Sequence, residues 1–141
     1  MTITLWSLLI AASAGILGLL GTVHLLYTFH GTRLHPREAQ LKEQMEASAL
    51  VLTRQTTMWR AWIGFNASHS YGAMLFGVVW GYLALRQAPF LYDSWFLLAL
   101  GLVVQLAYLV LARLYWFSIP FRGILLASVL YGAALVARQM V

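Results

Sequence analysis

The sequence predicts an all-α fold: a four-transmembrane-helix bundle with a cytoplasmic amphipathic helix between spans 1 and 2. Three observations predict it. The chain of 141 residues is 62% hydrophobic and only 9% charged, whereas a soluble domain carries about 25% charged residues. So little charge cannot cover a water-exposed surface. The apolar residues gather into four runs, each close to or above the roughly 20 residues that a span needs. Basic residues cluster between these runs, where topology signals belong. The length suits one integral membrane domain, 1–141.

The first apolar run covers about 3–29. Ala12-Ser13-Ala14 imitates a signal-peptide cleavage site, but no Lys or Arg precedes the run and it continues well past Ala14. It is therefore expected to be retained as a span. The segment 30–56 is the main polar stretch. His35-Pro36-Arg37-Glu38 reads as a helix start with Pro36 at the first helical position. Leu41, Met45, Ser48 and Leu52 follow at helical spacing, and Glu38–Lys42 and Lys42–Glu46 are i,i+4 pairs. An amphipathic helix over about 37–53, lying on the membrane surface, is expected.

The second span is expected over about 58–85, closed by Arg86-Gln87-Ala88-Pro89. The third is expected over about 92–117. Ser118-Ile119-Pro120 reads as a tight turn, because proline does not continue a preceding helix. The fourth is expected over about 121–138. Short connections make spans two, three and four antiparallel neighbours.

Charge sets orientation and removes several function classes. The first and third loops with their flanks hold Arg33, Arg37, Lys42, Arg54, Arg60, Arg113 and Arg122, and the opposite side holds Arg86 and Arg138. This asymmetry places loops 1 and 3 in the cytoplasm and both termini outside. Basic residues dispersed along an apolar chain are no nucleic-acid footprint, and membrane lipids are the expected partners. The chain has no Cys, which removes disulfides and thiolate chemistry. Glu38, Glu43 and Glu46 lie outside the expected spans, and Asp93 sits at the outer edge of the third. That speaks against a carboxylate proton relay and against paired-carboxylate catalysis in the membrane.

The second run nevertheless carries polar groups where lipid-facing Leu or Ile would cost less. At 100° per residue Asn66, Ser70, Ala73, Gly77 and Gly81 share one face, with His69 beside them. Gly64, Ser68 and Gly72 form a second small face. Small faces allow close helix packing, and Asn66 and His69 could serve only to hydrogen-bond across it. On the first span His24 and Thr28 share a face. Counted from the cytoplasmic boundary, His24 and the Asn66–His69 stretch lie at comparable depth, roughly 8–16 Å in. His24, Thr28, Asn66, His69 and Ser70 are the candidate ligand-binding residues, with Gln105 and Tyr108 of the third span completing the lining. Tyr131 and Ser128 of the fourth span could add to it. An ionisable group inside a membrane is a functional-site candidate by default.

Two facing histidines could ligate a b-type haem, with Arg33 or Arg60 pairing its propionates, or hold a quinone head. His24, His30 and His35 have no carboxylate or Cys at supporting spacing, so no metal site is predicted. A Ser-His-Asp triad is excluded, since Asp93 lies on the other side of the membrane from His69. Arg60, Arg113 and Arg122 sit near span ends and are the expected lipid-phosphate contacts.

The strings His24-Leu25-Leu26-Tyr27-Thr28-Phe29-His30-Gly31, Leu34-His35-Pro36-Arg37-Glu38 and Thr56-Thr57-Met58-Trp59-Arg60-Ala61-Trp62-Ile63-Gly64-Phe65-Asn66-Ala67-Ser68-His69-Ser70 resemble a family of small uncharacterised bacterial four-helix integral membrane proteins. The resemblance covers about the first half of the chain. It implies a bacterial membrane protein, expected in the inner membrane, agrees on four spans, and brings no assigned activity or cofactor; the charge asymmetry makes both termini periplasmic.

The sequence thus leads to a membrane protein, catalytic role unknown and not expected, that binds a lipid or other hydrophobic small molecule. Service as an accessory subunit of a membrane complex, or as a homo-oligomer, fits the small faces equally. The alternatives are a redox module holding haem b or quinone between His24 and His69, and a lipid-modifying enzyme using His69.

Overall fold

A computed structural model describes residues 4–139. It is all-helical: α1 (Leu5–Phe29), α2 (Ala39–Ala47), α3 (Met58–Arg86), α4 (Ala88–Asp93), α5 (Trp95–Tyr115) and α6 (Ser118–Gln139). Three of these, α1, α5 and α6, are long and apolar enough to cross a membrane. The helix α3 is longer than any of them at 29 residues but falls outside that group. Asn66, Ser68, His69 and Ser70 in its first half lower its hydropathy.

The chain forms two compact units. One takes in the described residues up to Leu20 and from Ala73 onward, and the other is Gly21–Gly72. In the first, Ile10, Ala14 and Leu17 of α1 are buried together with Ala73, Phe76, Trp80 and Ala84 of α3, and with Leu98, Ile124 and Tyr131. Its closest helix approach is glycine on glycine. A Cβ on Gly77 would lie 2.7 Å from the Gly18 Cα and 2.9 Å from the Ala14 carbonyl oxygen. Absent side chains there let the two backbones touch, the usual device of helix packing in lipid. Phe76 stacks on Trp80 at 4.6 Å. The Trp80 indole N–H donates to the Tyr131 hydroxyl, which donates to the Leu98 carbonyl. A side chain at Gly101 would collide with Tyr131 and Trp80, so that position keeps glycine for space.

Four expectations need correction. The polar helix does not run over 37–53. It is the nine-residue α2, which buries no side chain, and Lys42 pairs with Glu46 across its outer face at 3.1 Å. Glu38 is extended (φ −90°, ψ 120°), so Pro36 does not open the helix, and Ser48 is extended as well (φ −88°, ψ 127°). The chain beyond α2 turns back: Ala49 bridges Thr57, and the Met58 N–H donates to the Ser48 carbonyl at 2.9 Å. Side chains there take over from helical hydrogen bonds, the Gln55 N–H donating to the Thr53 hydroxyl at 3.1 Å. Ser and Thr compete with helix in this way, and the β-branched Val51 and Thr53 do not oppose it.

The third span does not begin at residue 92. Residues 88–93 form a separate short helix, α4, with Pro89 in its first turn. The chain then breaks at Ser94, whose hydroxyl accepts from the Leu97 N–H at 3.2 Å and starts α5. Tyr92 is buried against Trp6, ring to ring at 6.1 Å. Finally, Ser118-Ile119-Pro120 is the first turn of α6. Proline is tolerated there because the N–H it lacks would have no helical partner anyway. The second small face also stays open: Gly64, Ser68 and Gly72 are exposed.

Candidate functional site

The candidate site belongs to the Gly21–Gly72 unit. Two helix segments build it, the last turns of α1 and the first turns of α3. His24 and Asn66 meet side chain to side chain, with His24 Nε2 2.8 Å from Asn66 Oδ1. The Asn66 amide nitrogen donates to the Trp62 carbonyl one turn earlier, also at 2.8 Å. With the amide's donor end committed, its oxygen is what faces the imidazole. His24 is therefore the donor and carries its proton on Nε2.

The His69 ring lies against the His24 ring, centroids 4.5 Å apart and planes tilted by 52°. Both rings are half-buried. Thr28 and Ser70 do not add free hydroxyls to the cluster. Each folds back on its own helix, Thr28 donating to the His24 carbonyl and Ser70 to the Asn66 carbonyl, both at 2.8 Å. They thus brace the two residues that do the pairing.

The unit's outer part is aromatic and basic. The Trp62 indole donates to the Leu34 carbonyl at 3.1 Å and ties α3 to the loop after α1. The Arg33 guanidinium lies 4.3 Å from the centre of the Tyr27 ring. His35 meets the edge of Trp59 at 4.9 Å, and the Lys42 ammonium lies 5.2 Å from the same ring. Such cation–π contacts hold flexible basic side chains beside the rings that anchor them. Arg60 is exposed, its backbone N–H accepted by the Thr57 hydroxyl at 3.4 Å.

The other expected lining residues lie in the first unit, and each is engaged there. Gln105 is fully buried. Its amide donates to the Ser13 hydroxyl at 2.6 Å, and Ser13 donates on to the Ala127 carbonyl at 2.7 Å. The Ser128 hydroxyl donates to the Ile124 carbonyl at 2.8 Å and stands 3.4 Å from Gln105 Oε1. Tyr108 lies against Trp116, centroids 6.2 Å apart, and Tyr131 is fully buried with Trp80. Arg113 sits over Phe121 at 5.9 Å, and Arg122 is exposed. Trp62 is the residue that the sequence reading missed. Its position one turn before Asn66 was the available signal, since an intramembrane amide commonly turns to the i−4 carbonyl.

The geometry bears directly on haem. Bis-imidazole ligation sets the two ring centres about 6 Å apart, with the iron and the macrocycle between them. Rings at 4.5 Å leave no such space, and the Nε2 atom of His24 is already bound to Asn66. The pair as arranged does not fit haem. Among the described residues no cluster of three or more His, Asp or Glu groups that could hold a metal ion is found. Comparison with protein-family models, curated proteins and solved structures returns no match.

Proposed function

We propose that this chain is a four-span protein of the bacterial inner membrane that binds the polar head of a lipid, or of another hydrophobic small molecule, at its His24–Asn66–His69 cluster. The carrying observation is the pair of half-buried imidazoles in contact, oriented by an amide, within helices otherwise made of apolar residues. Grouping several polar side chains inside lipid is costly, and helix packing needs only one such pair.

The fourth span is α3. Its 29 residues give a length of about 43 Å, beyond the roughly 30 Å of the hydrocarbon core. Its charges, Arg60 and Arg86, stand near its two ends. Tyr71, Leu75, Val78 and Tyr82 repeat at helical spacing and are all more than half exposed, which suits a lipid-facing stripe. Loops 1 and 3 with their basic residues then lie in the cytoplasm and both termini in the periplasm. The cluster falls in the cytoplasmic leaflet, with Arg60 near the α3 end beside it; Arg113 and Arg122 are proposed lipid-phosphate contacts of the other unit. No catalytic step is assigned to it.

The test is lipid and small-molecule analysis of the purified full chain beside His69→Ala and Asn66→Leu variants. A molecule retained by the wild type and lost from both variants, at unchanged helicity, is the expected result. Identical retained molecules in all three proteins would defeat the binding reading and leave the cluster as a packing contact.

A further inference from the structure

The first unit holds an apolar groove between α5 and α6, at the end where α4 meets α5. Its volume is about 410 Å³. Leu98, Ala99 and Leu102 line one side, and Leu135 lines the other. Trp95 and Arg138 stand at its mouth. The Arg138 guanidinium is held between two aromatic rings, 5.1 Å from the centre of Trp95 and 5.7 Å from that of Tyr92. Among the described residues the one ion pair is Lys42–Glu46, so no carboxylate within ion-pair distance neutralises Arg138. A guanidinium held beside two rings in the lining of an apolar slot is a pre-positioned donor for an anionic group.

We propose that this groove is a binding site for one anionic glycerophospholipid, with an acyl chain along Ala99, Leu102 and Leu135 and the phosphate on Arg138. Charge complementarity selects this occupant. The groove's single charged group is a guanidinium, whose planar fork matches phosphate oxygens. The exposed Trp95 flanks it at the start of α5, where an amphipathic ring marks the headgroup level of a bilayer. An apolar helix of a second chain would fill the slot but leave the guanidinium without a counter-charge. The site is separate from the histidine cluster in sequence and in unit, and does not depend on that reading.

Native mass spectrometry of the full chain in micelles tests it, titrated with phosphatidylglycerol and with phosphatidylcholine of the same acyl chains. The first phosphatidylglycerol should bind at least about fivefold more tightly, the scale of one basic contact. Arg138→Gln should remove that preference. Arg54→Gln, which deletes an equal charge in the loop after α2, should keep it. Leu102→Trp, which fills the slot, should weaken the first molecule of both lipids while circular dichroism stays unchanged. Equal binding of the two lipids by the wild type would overturn the proposal. So would a preference that survives Arg138→Gln, or one lost equally with Arg54→Gln.

Discussion

Asn66 Oδ1 lies 2.8 Å from His24 Nε2, while the Asn66 amide nitrogen is spent 2.8 Å away on the Trp62 carbonyl. Together the two contacts dictate which imidazole nitrogen holds the proton. Nitrogen NMR of the histidine-labelled protein should therefore report His24 as the Nε2–H tautomer. In Asn66→Leu the acceptor is gone, and the Nε2–H signature should shift or mix. Hydrogen bonds between membrane helices average about 0.6 kcal/mol, with about 1.7 at most, so the same variant should lose roughly 1 kcal/mol of stability in detergent. A His24 that is Nδ1-protonated in the wild type would contradict the assignment.

Contact between the His24 and His69 rings at 4.5 Å predicts the outcome of a spectroscopic experiment. Haem added to the purified protein should give no low-spin bis-imidazole spectrum. His24→Ala and His69→Ala should leave the haem titration unchanged. A wild-type spectrum of that kind, abolished by either substitution, would mean that the rings part to admit the macrocycle.

The pairing of His24 with Asn66 and His69 was legible in the sequence because two simple rulers agree on it. A helical wheel gives the face, and a count along the helix from a polar boundary gives the depth. Gln105 shows where those rulers stop. A wheel gives its direction but not its neighbour, and the Ser13 hydroxyl that engages it is 92 positions away in the chain. The break at Ser94 was hidden because apolar residues flank the short polar pair Asp93-Ser94 on both sides, and the Ser94 hydroxyl caps a new helix there. Leu41 and Met45 of α2 are followed at helical spacing by Leu52 in the loop after it, where Ser48, Thr53 and Thr57 supply competing local bonds. Hydropathy leaves α3 outside the spanning group because Asn66, Ser68, His69 and Ser70 lower its average.

Gly77 should be the least replaceable glycine of the first unit's helix contacts. A Cβ there meets backbone at 2.7 Å and 2.9 Å, and backbone yields less readily than a side-chain tip. Gly77→Ala is expected to destabilise by about 1–3 kcal/mol, the usual cost of overpacking. Gly132→Ala, where nothing stands within 4 Å, should cost nothing measurable. Unfolding in mixed micelles compares them directly, and equal effects would mean that the helices separate at no cost.

The absence of cysteine makes topology simple to measure. Val51→Cys and Gln87→Cys place single thiols at exposed positions in the loop before α3 and just after its last residue. With α3 as a span, an impermeant maleimide should label Gln87→Cys in intact cells, and Val51→Cys only after the inner membrane is opened. Labelling of both from one side would return α3 to the surface and leave three spans.

Buried polar chemistry in the first unit gives the last expectation. Ser13 both accepts from Gln105 and donates to the Ala127 carbonyl, so its hydroxyl is a relay joining α1, α5 and α6. Removing either end leaves a buried group unpaired. Removing both leaves a smaller void, and one carbonyl that its own helix can still satisfy. Ser13→Ala and Gln105→Leu should each destabilise, and the double variant should lose less than their sum. The coupling energy expected for such a pair is about 0.6 kcal/mol and at most about 1.7. Strict additivity in the double-mutant cycle would show that the two side chains do not act on each other, and that Gln105 is held by packing alone.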